Sequence, residues 1–112
     1  MVQYTPSLDR TFAAISDATR RGILAQLGRN DASITELAER FRMTLTGMKK
    51  HVRILEHAGL VRTRKVGRVR TCSLGPRRLD QEATWIEQYR EMLEQRLNRL
   101  EEFLERSRGG KS

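Results

Sequence analysis

Thr44-Leu45-Thr46-Gly47-Met48-Lys49-Lys50-His51-Val52-Arg53-Ile54-Leu55-Glu56-His57-Ala58-Gly59-Leu60-Val61-Arg62-Thr63-Arg64-Lys65-Val66-Gly67-Arg68-Val69-Arg70-Thr71-Cys72-Ser73-Leu74 changes its period part-way along. Up to Ala58 the apolar residues Leu45, Met48, Val52 and Leu55 recur at helical spacing. Thr44 suits the cap of that helix, and Gly59 closes it after about Ala58. Beyond Gly59 the pattern alternates, which predicts two strands, roughly Val61–Val66 and Val69–Leu74. Between them, Gly67-Arg68 suits a two-residue hairpin turn.

Upstream, Ser33-Ile34-Thr35-Glu36 has the form of a capping box and predicts a short helix carrying Leu37, Ala38 and Phe41. Arg42-Met43 is then a short turn between two helices. Asp17 suits the cap of an earlier helix with Ile23, Leu24 and Leu27 inward and Gly28 as its stop. Ser7 suits the cap of the first helix, whose apolar residues are Leu8, Phe12 and Ile15. Downstream, Pro76 ends the strand region and a long helix is expected over about Leu79–Ser107, leaving residues 109–112 as a disordered tail. The expectation is a mainly α chain with a small β-hairpin, in the order of a winged helix-turn-helix. One domain would span residues 1–108, against the plainer alternative of a helical bundle with an incidental hairpin.

Charge is concentrated where the period changes. Between Arg40 and Arg78 lie twelve Lys and Arg residues and one acid, Glu56, so that stretch carries +11 of a chain whose net charge is +8. A local patch of this kind calls for a polyanion, and a helix followed by a hairpin fits double-stranded DNA. On the predicted helix, Thr46, Lys49, Lys50 and Arg53 face away from the apolar stripe, and Gly47 would permit close approach. Lys50 and Thr46 point most directly outward and are candidates for base contact; Lys49 and Arg53 lie towards phosphate on the flanks. Thr44, at the helix start, can donate to phosphate. In the hairpin, Arg64, Lys65, Arg68 and Arg70 are the candidate contacts. Edge strands also carry charge simply to prevent aggregation. That accounts for one or two cations but not for five between Arg62 and Arg70.

In the long helix, Leu79, Ile86, Leu93 and Leu100 recur every seven residues, with Tyr89, Leu97 and Leu104 in adjacent positions and Trp85, Met92 and Phe103 widening the stripe. So small a domain cannot cover this face. A homodimer through the terminal helices is therefore expected, with Leu8, Phe12 and Ile15 of the first helix contributing. The opposite face is rich in acids, from Glu82 to Glu105, and anionic lipid would repel it.

Other classes find little in the chain. A single cysteine, Cys72, allows no internal disulfide, no apolar run approaches a membrane span and no secretory leader is evident, so a cytoplasmic location is expected. No catalytic constellation, cofactor motif or metal-ligand spacing is recognisable, and neither an enzyme nor a cofactor is expected. His51 and His57 diverge on one helix.

Asp17-Ala18-Thr19-Arg20, Thr35-Glu36-Leu37-Ala38 and above all Lys50-His51-Val52-Arg53-Ile54-Leu55-Glu56-His57-Ala58-Gly59-Leu60-Val61, with Gly67-Arg68, resemble the ArsR-type (arsenical-repressor-like) winged-helix transcriptional regulators. The resemblance covers about residues 8–104. It implies a dimeric bacterial repressor of operator DNA, commonly near its own gene, with a dimer interface built from the first and last helices. Metal-sensing members carry Cys-x-Cys where this chain has Ser33 and Thr35, or Asp/His pairs in a last helix that here lacks histidine; neutral hydroxyls are poor ligands for such metals. The resemblance is thus to the branch without metal motifs. Cys72, where relatives often have Tyr, reads as a small core residue. The competing class is a low-specificity architectural DNA-binding protein.

Overall fold

Helix α1 is described over Pro6–Ile15, and Ser7 is helical there instead of capping it. The structure is a computed structural model describing residues 6–109, and the chain forms two compact units, one ending at Leu79 and the other beginning at Asp80. In α1 the fully covered residues are small: Thr11 and Ala14 are buried, whereas Leu8 and Phe12 keep part of their surface. The α1 carboxyl end has no glycine. Guanidinium groups from the next helix satisfy its free carbonyls instead, Arg20 on Ala13 and Ala14 and Arg21 on Ile15.

Asp17 caps α2 (Ala18–Arg29) by accepting from the Arg20 amide. Gly28 does not stop this helix, which continues to Arg29 and ends at Asn30. Ile23 and Leu27 are buried; Leu24 is only half-buried. Next comes a strand that was not expected, β1 (Ala32–Ser33). Two residues are too few to register as a period, and only pairing with a distant strand defines them. Ser33 then completes the anticipated capping box at the start of α3 (Ile34–Arg40).

Helices α3 and α4 (Leu45–His57) are joined through Phe41, Arg42 and Met43. Arg42 adopts a left-handed φ of 53°, and the Met43 amide donates to the Ala38 carbonyl at 2.9 Å. The end of α4 repeats this closure, with Gly59 at φ 77° and the Leu60 amide on the Leu55 carbonyl at 2.9 Å. Met48, Val52 and Leu55 are buried as expected, but Leu45 stays 44% exposed. It is the first helical residue, with no preceding turn to cover it.

Strands β2 (Val61–Val66) and β3 (Val69–Leu74) form the hairpin at the anticipated bounds, with Gly67 at φ 63° in the turn. The sheet has three antiparallel strands in the order β1-β3-β2. Gly75 leaves it by passing so close to Gly59 that a Cβ would lie 2.3 Å from the Gly59 carbonyl oxygen. Glycine is needed there for want of space. The core gathers Ile23, Leu37, Met48, Val52, Leu55 and Cys72 from four elements of this first unit.

The second unit is α5 (Asp80–Gly109). Leu79 is not its first apolar position: it has a left-handed φ of 62° and packs on the core of the first unit. Gly109 is helical and not part of a tail; residues 110–112 lie outside the described residues. Trp85, Ile86, Tyr89, Met92, Leu93, Leu97, Leu100, Phe103 and Leu104 are all exposed, from 44% at Leu93 to 63% at Phe103. Glu82, counted with the outward acids, is buried at 2% exposure.

Candidate nucleic-acid interface

The α4 amino end is built for exposure. Thr44 accepts from the Gly47 amide at 3.0 Å, so its hydroxyl hydrogen is free to point elsewhere. Gly47 serves this cap, since a Cβ there would meet the Thr44 hydroxyl at 3.1 Å and the Met43 methyl at 3.4 Å. Thr46, Lys49, Lys50 and Arg53 all lie on the exposed face while Met48 and Val52 hold the other face in the core.

Register decides which wing residues join them. Lys65 pairs with Arg70 and Thr63 with Cys72, placing these four side chains on one face of the hairpin. Arg64 pairs with Thr71 on the other face. Lys49, Lys65, Arg68 and Arg70 line a groove of about 520 Å³, together with Ser33, Thr35 and Leu45 at the starts of α3 and α4. Seven of the expected contacts thus divide into three groups, with Thr44 and Gly47 at the α4 cap and Arg53 in a neighbouring cleft. Lys49 and three wing cations share the groove, Thr46 and Lys50 sit on the open α4 face, and Arg64 projects from the reverse of the hairpin.

A smaller cleft of about 290 Å³ continues from the groove and is lined by Ile34, Lys49, Val52, Arg53, Glu56, Thr63 and Arg70. Here the Thr63 hydroxyl donates to the Glu56 carboxylate at 2.7 Å, and Arg70 Nη1 donates to Thr63 Oγ1 at 3.4 Å. Sequence reasoning assigned Glu56 and Thr63 no part in the site. The isolation of one acid among twelve cations was the signal that marked Glu56; nothing local marked Thr63.

His51 is half-buried on the side of α4 turned to α1 and α2. Its Nδ1 lies 3.2 Å from Arg20 Nη1 and 3.9 Å from Asp17 Oδ2. Arginine can only donate, so in its contact with Arg20 the His51 Nδ1 is the acceptor. The Arg20 amide on the Asp17 carboxylate outweighs the opposing effect of burial and, with the Arg20 charge behind it, holds Asp17 below the usual carboxylate range. This cluster fixes α4 against the helices that carry it. Burial, reinforced by the Glu56 carboxylate, pushes the Cys72 thiol up to about 11, although Arg70 opposes the shift. A thiol so protected is no nucleophile at neutral pH.

The chain is similar in sequence and fold to known proteins. A family model described as a helix-turn-helix domain matches residues 15–64. An HTH-type transcriptional regulator of Mycobacterium tuberculosis is 33% identical over 70 residues, a match spanning 62% of this chain and 65% of that protein. The Bacillus subtilis transcriptional repressor SdpR is 30% identical over 79 residues, 70% of this chain and 88% of that one. A crystal structure of an ArsR family transcriptional regulator superposes with a TM-score of 0.74 at 39% identity, covering 84% of this chain and 97% of its own.

Proposed function

From the premise that this chain belongs to the ArsR family of winged helix-turn-helix transcriptional regulators, we propose that it is a dimeric, autoregulatory repressor. In this reading α4 enters the major groove of a pseudo-palindromic operator, and the hairpin lies on the flanking backbone or minor groove. The observation that carries it is the shared groove, in which one recognition-helix cation and three wing cations converge. Phosphate held between them would set the pose of α4 and leave Thr46 and Lys50 facing base edges.

The dimer is inferred from α5, whose apolar stripe is exposed in the single chain. Pairing with a second copy, with Leu8, Phe12 and Ile15 of α1 contributing, would cover it. Two-fold symmetry would then present two α4 helices about one turn of duplex apart, roughly 34–36 Å. Anisotropy titrations against the gene's own upstream DNA and a scrambled duplex test the proposal. Preference for the upstream duplex at moderate salt is expected. Equal affinities would replace the repressor with an architectural binder.

A further inference from the structure

We infer that Glu56 is a specificity-determining positioning residue, whose carboxylate ties the wing to the recognition helix through Thr63 and Arg70. The inference rests on the operator-binding reading and deepens it.

An acid beside a polyanion site weakens binding, so its presence at the centre of the patch needs a compensating role. Like charges directly opposed on neighbouring strands repel, and Lys65 faces Arg70 across the hairpin. Lys49 and Arg53 approach Arg70 from α4 across the same cleft. Left alone, these cations favour a wing splayed away from α4. Glu56 is the acid that lines the cleft, and it acts on the wing directly. Its Oε2 accepts the Thr63 hydroxyl at 2.7 Å, and Thr63 in turn accepts from Arg70. One short chain of hydrogen bonds therefore links α4, β2 and β3.

The consequence is a fixed spacing between the base-reading face and the phosphate clamp. With the wing held, phosphates seat in the groove only when α4 lies at one depth and register. With the wing released, the same cations reach backbone at many registers, and discrimination falls while non-specific affinity persists.

Three variants separate the tether from the charge. Thr63→Val removes the hydroxyl and keeps the carboxylate, Glu56→Ala removes both charge and acceptor, and Glu56→Gln keeps an acceptor without the charge. The ratio of affinities for upstream and scrambled duplexes is expected to fall about threefold to tenfold in Thr63→Val and Glu56→Ala, the worth of one hydrogen bond. Glu56→Gln is expected to keep the ratio while binding both duplexes more tightly. Limited trypsin digestion without DNA supplies a second readout. Cleavage within 62–70 should accelerate in Thr63→Val and Glu56→Ala but not in Glu56→Gln, with sites at Arg29 and Arg40 as controls for general unfolding. An unchanged ratio in Thr63→Val, or a Glu56→Gln ratio as low as that of Glu56→Ala, overturns the inference. If the wild type binds both duplexes alike, the operator reading is what fails. The tether is then decided by digestion alone, and equal wing cleavage in all variants overturns it.

Discussion

Lys50 and Cys72 show how one residue's position on its element decides its chemistry. Lys50 lies on the exposed face of α4, outside both the groove and the cleft. Lys50→Ala is expected to weaken upstream-DNA binding by about 1–3 kcal/mol and relax preference at one base position, as loss of a base contact does. Competition with single-base operator variants checks this, and an unaltered preference would assign Lys50 to the backbone. Cys72 is fully buried, with its thiol raised from the ordinary 9.0 to about 11. A raised thiol pKa means the unfolded chain ionises first as pH rises. The stabilisation is complete below about 9.0 and disappears as the pH approaches 11. Urea unfolding between those limits should show a steeper loss in the wild type than in Cys72→Ala. Alkylation at pH 8 should proceed only after denaturation.

At the scale of elements, the closures of α3 and α4 govern how the reading helix is presented. Gly59 holds its left-handed φ against the Leu60–Leu55 hydrogen bond. Gly59→Ala should destabilise the fold by about 1–2 kcal/mol, the penalty for an L-residue in that region. Chemical denaturation measures it. The wing makes a different kind of prediction. Arg68 lines the groove with Lys49, Lys65 and Arg70. Arg68→Ala should weaken upstream and scrambled duplexes about equally and flatten the dependence of log affinity on log salt, by about one phosphate's worth. Titrations at several salt concentrations test this, and an unchanged slope would take the wing off the backbone.

On the whole-molecule scale, α5 carries charge pairs on one face and an apolar stripe on another. Arg90 reaches Glu87 at 3.9 Å and Glu94 at 3.4 Å, exposed pairs that contribute at most a few tenths of a kcal/mol each. The stripe is the stronger feature. Leu93→Glu, near its centre, is expected to yield monomers by light scattering and to lose most affinity for a two-half-site duplex. A stable dimer would place the interface elsewhere.

By itself the sequence determined the helices, the caps at Asp17, Ser33 and Thr44, and the hairpin, because each is a local matter. The Ser33–Glu36 box, the Thr44 cap, the α4 stripe and both long strands depend on residues only a few positions apart. The basic patch was equally legible, since charge is counted from composition. Contacts between distant residues were not. β1 exists only because Ala32 and Ser33 pair with Cys72 and Thr71. Leu45 and Leu79 fit a helical period, yet one is left uncovered at a helix start and the other is turned out of its helix by a left-handed backbone. Hairpin register, fixed by a glycine turn and by burial of Val61 and Cys72, put Lys65 and Arg70 on the α4 side and Arg64 on the reverse. Periodicity tells which face of an element a side chain occupies. Which other face it meets follows from close packing of the whole chain, and that is how Glu56, an isolated acid in the sequence, comes to hold the wing.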